Sequence, residues 1–536
     1  MRRRDLLSLG LATPLLAACN PFDVLARRRT PITVYSPGMR EGHWLRDLRA
    51  LPQPSAERKV DTLIIGSGVG GLSAAWKLQR EGFKDFLLLA GPEFSGNAAG
   101  GVCGELRFPL GAHYLPLPTL ESTHVREMLG DFGILQGPVN TPRPEYDERC
   151  IVHAPEERLL INGHWQDGFL PTIGIPAPEL AEQARFFHFV ESLKRAKGRD
   201  GKLLFALPLT LSSHDEEWQA LDRLTFAAWL TREGYTAPSL RWYLDYCCCD
   251  DYGTTTDHIS AWAGLHYFAC RTGQARNAGD DAVLTWPDGL HPMAQRLYAP
   301  IAAHMLPGFA LQVQPKGKTY EALYLDAASP TARCTRITAR RIVFATPLHV
   351  TAHLFPLQEL GFDTTSHMPA HAPWMVSNFV LEGFPEEIDN TPVSWDNMVY
   401  QSRGLGYVVS THQLIRVARP ERTVFSAYQA LNQRPPTDMR RWLSQATQEE
   451  LVKEAACDLM QVYGSGFWRR VTQLHITLRG HAMASPGPGF LSNPGLKALR
   501  EADQSLLFAH ADLSSLSVFE EASWWGYQAA TRILNA

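Results

Sequence analysis

The chain is predicted to fold as an α/β protein, and two observations predict it. One is a strand–turn–helix–strand run near the N-terminus. It comprises Val60-Asp61-Thr62-Leu63-Ile64-Ile65, a glycine-rich turn, helix formers from Leu72 to Arg80, and a second apolar run, Phe86-Leu87-Leu88-Leu89. The other is that both periodicities recur downstream. Helices are predicted around 178–194 and 224–233, and strands at 374–381 and 407–412. Thr447-x-x-Glu450 has the spacing of a capping box ahead of helically spaced Leu451, Ala455, Leu459 and Tyr463.

Composition agrees with a large folded chain. The 536 residues are 45% hydrophobic, ample for a buried core, and such a length suggests about three to four domains. A net charge of -4 argues against a nucleic-acid binder, which needs a concentrated basic face. Nine cysteines in this length do not make a disulfide scaffold. Cys247, Cys248 and Cys249 point in divergent directions and lack a second Cys/His pair at zinc spacing, so buried thiols and no metal are expected.

In chain order, the first element is an address. Arg2-Arg3-Arg4 precedes a run of about a dozen apolar residues, too short for the ~20 that span a bilayer. Arg3-Arg4-x-Leu6-Leu7 resembles a twin-arginine signal, and Leu16-Ala17-Ala18-Cys19 resembles a lipobox whose Cys19 is lipidated. Together they predict export by the twin-arginine machinery and a lipid anchor in a bacterial periplasm, with Asn20 weakly favouring the outer membrane. Residues 20–57, punctuated by Arg27-Arg28-Arg29, Pro52 and Pro54, read as a tether and lead-in, although the 42–47 segment is less tether-like.

The glycine turn reads Gly66-Ser67-Gly68-Val69-Gly70-Gly71. Gly66 makes the tight turn, Gly68 lets the backbone approach a pyrophosphate, and Gly71 lets helix and strand pack closely. The helix N-terminus then offers N–H groups and a partial positive charge to phosphates. Gly70 completes the set. This predicts a Rossmann-like dinucleotide site. The acid that usually ends the second strand is absent, because Ala90 stands there; Glu93 is the nearest candidate for the ribose.

Separated stretches resemble the flavin-containing amine oxidase superfamily, which also includes protoporphyrinogen oxidases and phytoene-desaturase-like enzymes. Gly66–Gly71 is similar to its first FAD motif. Gly96-Asn97-Ala98 through Gly111-Ala112-His113-Tyr114 resembles the segment beneath the flavin, with Ser95-Gly96-Asn97 in place of the usual G-G-R. Arg341–Pro347, with Ala345, resembles the strand returning to the FAD domain, and Trp286-Pro287-Asp288-Gly289-Leu290 with the apolar run after it resembles the glycine-marked helix preceding that strand. Leu507–Asp512 with Phe519–Ala530 resembles the closing F-A-G-[DE]…E-G-A motif. Here His510 replaces Gly, Ala511 takes the acid's place, Asp512 comes one residue late, and Glu521 stands where Gly is usual.

The resemblance implies FAD as cofactor. It also implies an FAD-binding domain from 58–118, 285–352 and 484–536, and an α+β substrate domain from 119–284 and 353–483. Glu93, Gly96, Asn97, Gly111, Ala112, Val313, Ala345, Asp512, Glu521 and Ala522 join the four turn glycines as expected cofactor contacts. The Glu521-Ala522 peptide region would place a helix N-terminus at the flavin, where reduction leaves negative charge. His113, His481 and His510 are the candidate catalytic residues, with Tyr114, His412 and Trp524 behind them. The expected activity is hydride transfer from a substrate C–H, beside an amine nitrogen, to flavin N5, with oxygen or a quinone as acceptor. The alternatives are a desaturase or isomerase of an apolar substrate, and a non-catalytic flavin-stabilised periplasmic protein, which the changes at Ala90, Ala511 and Glu521 motivate. An aliphatic cavity favours the isomerase; aromatic walls with a carboxylate favour the amine.

Overall fold

The computed structural model describes residues 21–326, 333–388 and 391–536; the leader with Cys19 lies outside them. Two sheets organise the chain. In the seven-stranded sheet the central strand, Ala56–Ile65, pairs in parallel with Phe86–Leu89 on one side and Cys334–Phe344 on the other. Leu506–Phe508, from the far end of the chain, adds in parallel along Ile342–Phe344. The first half of Cys334–Phe344 instead meets the antiparallel pair Gly308–Lys316 and Thr319–Asp326. Leu63, Ile64 and Ile65 are all buried, as a parallel sheet covered on both faces requires. The helices Val69–Arg80 and Phe519–Leu534 share one apolar cluster with Ile64 and Leu88. The fold class is therefore α/β: a Rossmann-like domain gathered from discontinuous segments, beside an α+β domain.

The second sheet has eight strands, in the order Ile32–Tyr35, Val471–Ser485, Ala370–Glu382, Arg422–Ala430, Tyr407–Val409, Asp396–Val399, Glu157–Ile161 and His164–Asp167. Its register sorts side chains between two faces, because residues opposite one another share a face. Val376 lies opposite Tyr428, and Asn378 opposite Ser426. Ser426 lies opposite Val408, Val408 opposite Asp396, and Asp396 opposite Glu157. Met375, Phe379, Tyr407, Phe425 and Ala427 take the other face and pack with Met439, Leu443, Leu451, Val452 and Leu459 from the helices of 436–463. The capping box opening the helix Gln448–Ala455 is present in full.

Within the stretch 20–57, read as a tether and lead-in apart from the less tether-like 42–47, residues 21–47 are built into the fold. Pro21–Arg29 is a helix whose three arginines occupy its last turn, where the helix dipole favours cations. Asp23 is buried and accepts hydrogen bonds from Ser465 and Arg469. Ile32–Tyr35 pairs in parallel with Leu474–Thr477, and the helix Met39–Asp47 buries Leu45. The proline and arginine punctuation hid a four-residue strand. Cys247, Cys248 and Cys249 lie in the helix Pro238–Tyr252, all buried and all free.

Candidate functional site

At the glycine turn, Gly66 has φ +111°, and a side chain there would meet the Ala345 carbonyl at 2.8 Å. Gly71 lies against the Gly66 carbonyl and Gly70 against that of Ala509, each too closely for any Cβ. Gly526, in the closing helix Phe519–Leu534, presses on the Gly70 carbonyl, and the Ala522 carbonyl is 3.2 Å from a Cβ built on Gly70. The two ends of the chain thus meet here. Gly68 differs: a Cβ there meets nothing within 4 Å. It caps Val69–Arg80, and no side chain satisfies the leading N–H groups of that helix.

The segment after Phe86–Leu89 folds back over this turn. Ser95 N–H donates to the Ser67 carbonyl, and Gly96 has φ +54°. The Asn97 side-chain amide donates to the Ala482 carbonyl at 2.6 Å, and its own carbonyl accepts the Ala112 N–H at 2.8 Å. Gly111 leaves no room for a Cβ beside the Asn97 carbonyl. Glu93 departs from its expected role. Its carboxylate is clamped by Arg479 through two 2.9 Å hydrogen bonds, rather than left free for a ribose. Arg479 also donates to the carbonyls of Leu110 and Gly96. Arg479 was not singled out from the sequence, because its partners lie about 370–390 residues away in the chain.

Val313 is a second correction. It sits opposite Ala322 in mid-strand and is spent in the core beneath the sheet. The segment after Phe86–Leu89 meets Leu306 and Gly308 instead, through the N–H groups of Ala90 and Gly91. Glu521 is a third. Its carboxylate accepts the Leu209 N–H and the Ser514 hydroxyl, and burial pushes it up to about 7. Glu520, not Glu521, lines the adjoining cavity.

His481, His510 and Asp512 gather beyond the ends of Cys334–Phe344 and Leu506–Phe508, with two histidines the sequence reading passed over. His371 Nε2 is 3.0 Å and His510 Nδ1 3.3 Å from Asp512 Oδ1, while Oδ2 accepts the Leu348 N–H at 2.8 Å. His349 stacks on His481 with ring centres 4.2 Å apart. Burial alone would raise the Asp512 carboxyl, but His510 and His371 hold it well below the usual range. Both its oxygens are engaged within the protein, so the acid assigned to the cofactor serves this histidine cluster.

His113 lies elsewhere, in a cavity of about 130 Å³ between the two sheets. Its ring is 4.5 Å from Tyr428 and 4.9 Å from Tyr114, and burial pushes it down to about 3, so it stays neutral. The cavity reaches from Asn97, Gly111 and Ala112, past Ala482, Met483 and the start of the closing helix, to Asp250. Aromatic rings of Tyr114, Tyr252, Tyr267, Trp374 and Tyr428 form its walls. Asp250 Oδ2 accepts the Tyr114 hydroxyl at 3.1 Å. Burial, then repulsion from Asp251, pushes Asp250 up to about 7, against relief from Arg271 and Tyr114. Among the described residues Asp251 takes the ion pair with Arg271, which eases Asp250 only at longer range. His412 is not among the residues lining this cavity; its Nε2–H donates to the His153 carbonyl at 2.8 Å.

The residues present suit a dinucleotide cofactor at its phosphate end: an open space over Gly68, an uncapped helix N-terminus, and close glycine packing behind it. Glu93, the acid expected at the ribose, is engaged by Arg479. A family model for the NAD(P)-binding Rossmann-like domain matches residues 64–132. Among solved structures, wild-type putrescine oxidase bound to putrescine is similar at 13% identity and TM-score 0.64, over 90% of this chain and all of that one. Cyclohexylamine oxidase from Brevibacterium oxydans IH-35A aligns at 15% identity and TM-score 0.59, over 89% and 99%. The CLA-producing fatty acid isomerase from P. acnes aligns at 15% and 0.58, over 88% and 98%. This chain has their fold. No curated protein matches it in sequence.

Proposed function

We propose that the protein is an FAD-dependent oxidoreductase of amines. The observation that carries this reading is the cavity wall. Asp250, which forms no ion pair among the described residues, stands among five aromatic rings, beside the segment Asn97–Ala112 and the start of the closing helix. That arrangement suits an ammonium better than an aliphatic chain, and so favours the amine over the isomerase reading. Bound FAD would supply the two-electron oxidation, taking a hydride from the substrate C–H at N5. Gly66, Gly68, Gly70 and Gly71 would hold its pyrophosphate through backbone, with Gly96, Asn97, Gly111 and Ala112 along its length. Asp250 and Tyr114 bind and orient the cation, the aromatic walls exclude water, and neutral His113 stays uncharged beside the reacting amine. Sheet membership supports the division into an FAD domain at 58–118, 285–352 and 484–536 and a substrate domain at 119–284 and 353–483.

The leader motifs support export through the twin-arginine route and lipidation at Cys19, leaving the enzyme in a bacterial periplasm with oxygen or a membrane quinone as acceptor. The test is direct. The purified protein should release FAD on denaturation, and its flavin band should bleach anaerobically with an amine and return with oxygen or a quinone. A colourless protein, or flavin that no amine bleaches, refutes the reading.

A further inference from the structure

The most exposed apolar side chains of this protein are not scattered. Among the described residues, Val417, Ile415 and Val102 are the large apolar side chains most open to solvent: Val417 is fully exposed and the other two about two-thirds. All three stand on two neighbouring loops. Val102 belongs to the hairpin of Gly100–Cys103 and Leu106–Pro109, and Ile415 and Val417 to the loop joining Tyr407–Val409 to Arg422–Ala430. The hairpin rests on the eight-stranded sheet through Phe108, Val380 and Val424, which sets it against that loop: a Cβ built on Gly104 lies 3.9 Å from Arg422 Nη1. Apolar side chains gathered on one stretch of surface mark a place that something covers.

The charges around them are mainly basic. The loop carries Arg416, Arg419 and Arg422 against Glu421, and the hairpin carries Arg107 against Glu105. Arg419 lies over the Phe384 ring at 3.8 Å. Between the two loops opens a cleft of about 560 Å³, lined by Arg107, Arg296 and Arg416 from three separate elements, with Glu105 and Asp288 as its acids. Arg107 is 3.8 Å from Asp288, whereas Arg296, Arg416, Arg419 and Arg422 form no ion pair among the described residues. Guanidinium groups suit phosphate oxygens. The start of the described chain lies at the same end. Asp23 accepts from Ser465 and Arg469; next in the chain, the Arg470 carbonyl accepts the Glu382 N–H at 2.9 Å, and Gly383 N–H donates to the Glu421 carbonyl at 2.7 Å. The opening helix and the arginine loop thus meet around one strand end, Glu382–Gly383.

We infer that this surface docks the protein on a bilayer bearing anionic phospholipid, with Val102, Ile415 and Val417 at the acyl boundary and a lipid phosphate in the arginine cleft. Aliphatic tips enter the interface while arginines meet its negative charge. A second copy of this chain fits less well, because a two-fold contact would bring two such arginine loops together. The inference does not depend on the amine reading, and it holds with or without lipidation at Cys19. Cys19 stands two residues before Pro21, a reach of at most about 7 Å. An acyl anchor there and this surface would therefore face one membrane, and an acyl chain with a basic patch holds better than either alone.

The test uses the chain from Asn20 onward, which keeps every described residue and lacks the leader and Cys19, once its melting curve matches that of the full chain. Flotation with large vesicles of phosphatidylcholine alone, or of phosphatidylcholine and phosphatidylglycerol in equal parts, gives the partition coefficient. Binding should be at least about tenfold tighter on the anionic vesicles and should weaken with salt. Arg416→Gln and Arg419→Gln should each cost about fivefold there. Ile415→Asp together with Val417→Asp should cost more than about tenfold. All four positions are exposed, so the melting curves should not move. No binding to either vesicle, equal binding to both, or variants that bind as the parent does, overturns the inference. So does a dimer in sedimentation that Val417→Asp splits, which makes the patch a self-contact. Inorganic phosphate that displaces the vesicles at matched ionic strength also overturns it, since the cleft then takes a free anion. Because Cys19 is absent throughout, none of these outcomes bears on its lipidation, which labelled-palmitate incorporation into the wild type reads separately.

Discussion

At the glycine turn the protein presents backbone: Gly66, Gly70, Gly71 and Gly526 leave no room for side chains, and Gly68 leaves room for something else. In the cavity beside the eight-stranded sheet it presents ionisable and aromatic side chains: Asp250, Tyr114, His113 and Tyr428. The first region recognises through dipoles and packing that no titration alters. The second recognises through charges that burial has made expensive and pH can change. On the proposed reading, the difference makes holding a cofactor and choosing a substrate separable, so each can be broken alone.

The largest contrast is within the turn. Gly70→Val should abolish folding, losing more than ~3 kcal/mol, because its side chain would collide with the Ala509 backbone. Gly68→Val, two residues away from that crowding, should fold with a near-normal melting curve yet retain no flavin. Equal melting losses in the two variants would break the comparison. Next, Asp250→Asn should leave flavin content intact and lower kcat/KM for amines about thirtyfold, roughly 2 kcal/mol. A loss of flavin instead would show the two regions to be coupled.

The pH dependence follows from burial. Asp250, Glu520 and Glu521 are each held up at about 7 in the fold, against ordinary values of 3.8 and 4.5. The folded state therefore keeps protons that the unfolded chain gives up, so stability should fall as pH rises from about 4 to about 7. Asp512 has the opposite sign: its carboxyl is lowered, so its contribution is present above 3.8 and lost in stronger acid. Melting temperatures from pH 5 to 8 should decline, and Glu521→Gln should flatten the decline; a flat wild-type profile would contradict it. Amine affinity should rise through pH 7 as Asp250 ionises, and Asp250→Asn should remove that limb. The smallest effect is remote from both regions. Thr447→Ala should cost about 1 kcal/mol through the lost capping box, with activity unchanged.

The glycine turn was legible because glycine spacing encodes backbone geometry within a dozen residues. The closing helix was legible through its motif, and the Gly70 carbonyl against Gly526 shows why that one position has no room for a side chain. The cavity acids were not legible. Asp250 and Glu520 are unremarkable in their own helices, and only the fold brings them to one cavity from 270 residues apart in the chain. Arg479 escaped for the same reason, since its partner Glu93 lies near the other end of the chain. Glu521 misled because a motif position says where a residue stands, not which way its carboxylate turns.

The strand Ile32–Tyr35 pairs with Val471–Ser485, the strand Leu506–Phe508 completes the parallel sheet, and the final helix seals the glycine turn. A ribosome making this chain must therefore release almost all of it before either sheet can close. Early segments wait, half-partnered, for residues made last, and a truncation of the final helix should leave a slightly shorter band on a gel that, on the proposed reading, carries no flavin.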